Sequence, residues 1–256
     1  MKIDCILSSC NLNPLYIDFI PLFIQAWKKI IKNVDIKIIL ISDHIPNNLL
    51  IYSDNIILYN HHKDISTAFI SQYIRLLYPG LLNYENGVLI SDIDMLPMNK
   101  KYYVNSIANI DNDRFICYRN ILFNKQQIAM CYNVANSNTW RQIFGIDNIE
   151  QLSIRLDDVY KMINYNNTTN CEGWYKDQLD LFMYVTKWRG NTGKVTILTD
   201  KFTGYNRLNR MSFISLNKHI VHNVQRGLYS DYHVFRPYLK YKHINDIISQ
   251  NIPTYD

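Results

Sequence analysis

The chain has 256 residues, 48% of them hydrophobic and 19% charged, so it carries enough apolar material for a sizeable core and is not globally disordered. Its net charge is a modest +5 and the lysines and arginines are scattered, which argues against a nucleic-acid partner and suits an anionic small ligand. Five cysteines (Cys5, Cys10, Cys117, Cys131 and Cys171) without Cys-x-x-Cys spacing point to free thiols, not to a disulfide framework or a thiolate zinc site.

In chain order, residues 2–8 form a short apolar run suited to a buried strand. Residues 14–31 carry Leu15, Phe19, Phe23, Trp27 and Ile30 at helical spacing, and Pro21 is expected to kink that helix or delay its start. Residues 36–41 are rich in β-branched isoleucine, as expected of a strand buried on both faces, and 56–59 form a shorter third strand. A helix over 66–78 is closed by Pro79-Gly80, and the turn Asn86-Gly87 leads into a fourth strand at 88–90. Weaker strands are expected at 114–118 and 127–132, helices at 137–144, 149–163 and 177–188, and late strands at 194–198 and 219–221.

No repeat, low-complexity tract or Pro/Gly-rich linker divides the chain, so a single domain over 1–256 is expected. The alternation of short strands and helices predicts an α/β fold with a mostly parallel, Rossmann-like central sheet flanked by helices, and a more irregular C-terminal part. Ligands in such sheets bind at the carboxyl ends of the strands, which directs attention to the polar residues there. No apolar run approaches the roughly 20 residues of a membrane span, and the first residues lack a signal-peptide apolar stretch. A cytoplasmic protein without integral membrane association is expected, with the sequons at Asn166 and Asn167 unused.

The most informative segment is Val88-Leu89-Ile90-Ser91-Asp92-Ile93-Asp94-Met95-Leu96-Pro97. In an extended backbone Asp92 and Asp94 point the same way while Ile93 points into the core. Two neighbouring carboxylates resist joint ionisation, and a divalent cation such as Mn²⁺ or Mg²⁺ removes that cost while keeping positions for phosphate oxygens. The alternative is a solvated turn whose acids cap the next helix. Together with Ser71-Gln72-Tyr73-Ile74-Arg75-Leu76-Leu77-Tyr78-Pro79, this segment resembles the central block of GT-A-fold glycosyltransferases, and in particular the small viral domain of the chlorella-virus rhamnosyltransferase type. The motif-bearing block covers about thirty residues, and the strand order fits over roughly the first two thirds of the chain.

The resemblance implies a metal-dependent transferase that moves a sugar from a nucleotide diphosphate donor, UDP by default, to a hydroxyl acceptor. It places the nucleotide-sugar half at about 1–135 and the acceptor half at about 136–256, in a host cytoplasm if the source is viral. It gives Asp94 the metal, Asp92 the ribose or the metal through water, and Arg75 support of the donor site. Without the resemblance, Arg75 reads as a surface helix charge.

Ser8, Ser9 and Asn11, expected in the loop after the first strand, can offer hydrogen bonds to a nucleotide or simply shape a turn. That loop has neither Gly-x-Gly-x-x-Gly nor a P-loop, so hydride transfer and ATP hydrolysis lose ground. By the same resemblance Asp43 accepts a hydrogen bond from the base; it could equally cap a turn. Asp177, in Trp174-Tyr175-Lys176-Asp177-Gln178, reads either as a helix cap or as the base for the acceptor hydroxyl. Trp174 would give the acceptor sugar an apolar platform beside Gln178, and similar Trp-x-x-Asp-Gln segments occur near the acceptor side of related transferases. With Asp177 as base the displacement is direct and inverting; a retaining course stays open.

A His after a late strand is a further metal ligand in many GT-A enzymes, and His222 has the better context; His219, three residues away on a strand, faces the other side. Lys218 or Arg226 could offset charge on the leaving diphosphate. Three rivals remain. A haloacid-dehalogenase-like phosphohydrolase wants Thr or Val where Leu96 stands. A nucleotidyltransferase wants a Gly-rich, Arg-containing N-terminal loop that is absent. The third is a non-catalytic nucleotide- or sugar-binding module.

Overall fold

The structure is a computed structural model that describes residues 1–60, 64–165 and 172–255, so Asn166, Asn167 and Cys171 lie outside the described residues. Strand β1 (Ile3–Asn11) leads through a 3₁₀ turn into helix α1 (Ile20–Ile30), followed by β2 (Asp35–Ile41) and β3 (Ile56–Tyr59). Helix α2 (Thr67–Leu77), β4 (Gly87–Ile90), β5 (Met95–Pro97), β6 (Phe115–Cys117) and β7 (Asn133–Asn136) come next. Helices α3 (Ser137–Phe144), α4 (Ile149–Lys161) and α5 (Lys176–Thr192) precede β8 (Val195–Ile197). The chain ends with α6 (Asp200–Thr203), β9 (Arg207–Asn209), α7 (Lys218–Gln225), β10 (Asp231–His233) and α8 (Lys242–Asn251).

Seven strands form the central sheet in the order β3-β2-β1-β4-β7-β6-β8. The β3-β2-β1-β4 half is parallel, β7 runs antiparallel to both of its neighbours, and β8 is parallel to β6. The expected α/β class with a mostly parallel sheet is therefore the observed one. The continuous apolar runs follow from burial on both faces. Ile36, Ile38 and Leu40 of β2 enter the core beneath α1, whereas Ile39 and Ile41 enter the core beneath α2 to α5, as a two-residue side-chain period requires. A smaller sheet, β5-β10-β9, packs into the α1-side core through Met95, Leu96, Leu208 and Tyr232.

Several boundaries differ from the sequence expectation, each for a local reason. Pro21 sits in the first turn of α1, where its missing N–H has no partner to lose, so it marks a late start and not a kink. Strand β1 continues to Asn11 because β2 pairs with it as far as Ile41, so Ser8 and Ser9 are strand residues and not loop residues. The strand expected at 127–132 does not form; β7 begins only at Asn133, after Tyr132, which holds a positive φ of 72° as Gln126 holds one of 55°. The strand expected at 219–221 is the helix α7: the Asn217 side chain accepts a hydrogen bond from the Ile220 N–H at 2.9 Å, and Ile220 and Val224 form the buried stripe. No helix among the described residues is long and apolar enough to cross a membrane.

Gly87 opens β4 where it passes between β1 and β7. A Cβ there would lie 2.6 Å from Val134 Cγ2 and 2.9 Å from the Lys2 carbonyl oxygen, and the second of these is backbone that cannot swing away. Gly87→Ala is expected to lower the unfolding free energy by about 1–3 kcal/mol. Urea denaturation checks this; an unchanged midpoint would show that the edge of β4 has slack.

Candidate active site

Strand β4 hands the chain to the site. Ser91 still donates to the Leu7 carbonyl at 3.0 Å, and then the backbone turns, with the Met95 N–H bonded to the Asp92 carbonyl at 3.1 Å. Ile93 is buried in the core as expected, but the two acids do not share one face of an extended strand. The turn sends them to different partners. Asp92 stays a third exposed, at 35%, whereas the Asp94 side chain is only 9% exposed.

Asp92 is held by Arg75. This arginine comes from the last turn of α2, is itself buried, and forms an ion pair through Nη1 with Asp92 Oδ1. Its Nη1 also lies 3.4 Å from the Ser91 carbonyl, and its Nη2 stands 3.8 Å from Asp177 Oδ2. Arg75 is thus not a surface charge. Burial works against its positive charge, and the Asp92 and Asp177 carboxylates more than offset that.

Asp177 lies in the first turn of α5, whose N-cap position is taken by Tyr175. Its Oδ1 accepts from the Gln178 N–H at 2.8 Å. Burial pushes its pKa up to about 7, against the pull of Arg75 and of that N–H, with Asp92 and Asp180 adding to the rise. Gln178 presents a buried Oε1 that has no hydrogen-bond partner among the described residues, and Trp174 is half-buried in the 3₁₀ turn just before.

Asp94 meets a different set. Strand β10 pairs antiparallel with β5 so that His233 lies opposite Met95, which brings its Nε2 to 3.3 Å from Asp94 Oδ2. Strand β9 pairs parallel with β10 and places Asn209 opposite His233, so Arg210 follows beside Val234. Nη1 of Arg210 lies 3.4 Å, and Nη1 of Arg236 3.3 Å, from the same Asp94 oxygen. Burial opposes ionisation of Asp94, but the His233 hydrogen bond and the charges of His233, Arg236 and Arg210 together hold its carboxyl below the usual carboxylate range.

The residues expected on the nucleotide side are dispersed along the strand ends. Ser8 Oγ is buried and has no hydrogen-bond partner among the described residues, and Ser9 Oγ donates to the Ser71 carbonyl. Asn11, at the end of β1, donates to Thr67 Oγ1 at 3.0 Å, and Asp43, just past β2, is exposed beside His44 at 2.5 Å. His222 lies on a helix and not, as expected, on a late strand. It sits on α7, where it lines a surface depression of about 370 Å³ with Lys218, Val221 and Gln225. The histidine beside Asp94 is His233, and the cations there are Arg210 and Arg236, not Lys218 or Arg226. The sequence does carry a signal for this: Asp231-Tyr232-His233 is a polar-apolar-polar triplet, as in a short strand with one buried face.

Among the described residues, no three or more His, Cys, Asp or Glu side chains converge on a ready-made metal centre. Asp94 Oδ2 and His233 Nε2, 3.3 Å apart, nevertheless have the separation of neighbouring ligands on one ion. Bonds of roughly 2.1 Å set adjacent ligands roughly 3 Å apart, and Mg²⁺-type ions take one or two carboxylates and complete their shell with phosphate oxygens and water. The residues fit an ion that arrives with a phosphate ligand.

The raised pKa of Asp177 has a consequence for stability. An unfolded Asp titrates near 3.9 and the folded one at about 7. The native state therefore binds this proton more tightly, and the stability it contributes is complete below about pH 4 and is lost as pH rises through about 7. Asp177→Asn, which mimics the neutral form, is expected to make the metal-free protein more stable than wild type at pH 8, by about 1–4 kcal/mol, with little gain at pH 4. Urea melts at the two pH values check this; the same difference at both would contradict it.

No protein-family profile and no curated protein sequence matches the chain. Solved structures do. The galactosyltransferase LgtC in complex with donor and acceptor sugar analogs matches over 98% of this chain and 97% of its own, with a TM-score of 0.51 and 12% identity. The crystal structure of an active-site glutamine-to-glutamate mutant of LgtC matches over the same shares, with a TM-score of 0.51 and 13% identity. At that identity the likeness is one of fold, and the chain has the GT-A-like fold that its central block implied.

Proposed function

We propose that the chain is a glycosyltransferase that takes a sugar from a nucleoside diphosphate donor, a UDP-sugar in the first instance, and passes it to a hydroxyl of a glycan, glycoprotein or small molecule. The observation that carries this reading is the convergence of Asp92, Arg75 and Asp177 on one side of the turn after β4, and of Asp94, His233, Arg210 and Arg236 on the other. The shared fold with LgtC, crystallised with donor and acceptor sugar analogs, supports it. The narrower likeness to the viral rhamnosyltransferase type rests on the thirty-residue block alone.

Asp94 and His233, with Asp92 alongside, would hold Mn²⁺ or Mg²⁺, which when bound supplies neutralisation of the charge that develops on the departing diphosphate. Arg75 locks Asp92 and Asp177 into one frame, so donor site and base keep a fixed separation. Asp177, half-ionised near neutral pH, receives the proton of the acceptor hydroxyl as the sugar is transferred. Asn11 and Asp43 lie at strand ends within reach of solvent and take the nucleotide contacts. Ser8 and Ser9 precede Asn11 on β1 and support that end of the strand, Ser9 through its hydrogen bond to the Ser71 carbonyl. Trp174 and Gln178 face the acceptor.

Transfer assays with a panel of nucleotide sugars test the reading. A UDP-sugar with Mn²⁺ is expected to raise the melting temperature of the wild type and to be consumed. Asp94→Asn and Asp177→Asn are each expected to lower turnover by about 10²-fold or more while the fold persists by circular dichroism. Wild-type transfer by Asp94→Asn in the presence of chelator would contradict the proposal.

A further inference from the structure

The two halves of the site carry opposite charge excess. On one side a single guanidinium, Arg75, serves two carboxylates, Asp92 and Asp177. On the other, a single carboxylate, Asp94, serves two guanidiniums, Arg210 and Arg236, before His233 is counted. We propose that Arg210 and Arg236 form an anion cradle that holds the diphosphate of the ligand without a metal ion, so that binding of the nucleoside diphosphate precedes and does not require the cation. The identity of the ligand rests on the donor reading above; the cradle itself does not.

Three features support the cradle. The guanidiniums are largely withdrawn from water yet still reachable, at 15% and 26% side-chain exposure, so their charge is weakly screened. Both are fixed by the fold. Arg210 Nη1 donates to the Val234 carbonyl at 2.8 Å, while Arg236 donates to the Tyr16 hydroxyl and lies 4.9 Å over the Tyr16 ring. Among the described residues the hydrogen bonds of both run through Nη1, which leaves the outer N–H groups of each planar fork for an incoming anion. Guanidinium forks match phosphate oxygens in a bidentate way that a lysine does not.

Arg210 and Arg236 crowd against the same Asp94 oxygen, at 3.4 and 3.3 Å, and like charges held this close repel. One carboxylate offsets only one of the two positive charges. A bound diphosphate offsets the remainder and takes over the role of counter-ion from Asp94, leaving the Asp94 carboxylate free to turn toward a cation that joins afterwards.

Titration calorimetry on the full chain in EDTA, with inorganic pyrophosphate and with UDP as probes, tests this. Pyrophosphate is expected to bind without metal, and more weakly as salt rises. Arg210→Ala and Arg236→Ala are each expected to weaken it by roughly 10- to 100-fold, the loss of a charge-assisted contact, and Arg236→Lys to recover part of that. Asp94→Asn, which removes the competing carboxylate, is expected to tighten pyrophosphate binding in EDTA. Binding seen only with Mn²⁺, or unchanged in both alanine variants, or weakened in Asp94→Asn, would overturn the cradle. Pyrophosphate binding in EDTA with no nucleotide sugar turned over would leave the cradle standing and the donor reading fallen. Sugar transfer with strictly Mn²⁺-dependent ligand binding would do the reverse. Arg236→Lys retains the charge and the buried partner, so it remains informative if an alanine variant fails to fold.

Discussion

Two carboxylates two residues apart at the end of a buried strand cannot both stay ionised unless each is given its own counter-charge. The turn closed by the Met95 N–H and the Asp92 carbonyl provides this by separating them. Asp92 goes to Arg75 and Asp94 goes to His233, Arg210 and Arg236. The rest of the site depends on that division. Because Arg75 also reaches Asp177, the acid-rich half is tied to the start of α5. Because His233 and the two arginines follow β9 and β10, the base-rich half is tied to the small sheet.

The fold keeps these two halves in register. The parallel strands β1, β2 and β4 end at one edge of the sheet, which places Asn11, Asp43 and Asp92 at their carboxyl ends, where open α/β sheets bind ligands. The small sheet then attaches to the same edge through β5, the strand that follows the turn. A one-residue slip of β10 against β5 would turn His233 to the opposite face and put Tyr232, now buried and bonded to Asn245, in the site. The packing of Tyr232 therefore protects the position of His233. Stability and site geometry rest on the same three-residue strand.

Much of this could be read from the sequence where one residue type and one spacing admit a single physical reading. Residues 36–41 are apolar apart from Lys37 and read as a doubly buried strand; Pro79-Gly80 closes α2; Ile93 points inward between two acids. The positions that misled were those in which tertiary contacts decide. Ile220-Val221 looks extended, but the Asn217 cap and the burial of Ile220 and Val224 make it helical, so His222 stands on a helix and not after a strand. Ser8 and Ser9 look like loop residues until the pairing with β2 is known. Arg210 and Arg236 carry no local signal at all, since their place beside Asp94 comes from the pairing of strands distant in sequence. Arg75 was legible only through resemblance, because a helix-surface charge and a buried one look alike in a sequence.

On the proposed reading, one site, split by charge, takes both a divalent cation and a diphosphate. The most direct measurement is a crystal structure with Mn²⁺ and UDP, using anomalous scattering to locate the metal. The expected result is a manganese peak beside Asp94 and His233, with the diphosphate against Arg210 and Arg236. Manganese and nucleotide bound elsewhere, with Asp94 still closed against the two arginines, would contradict it.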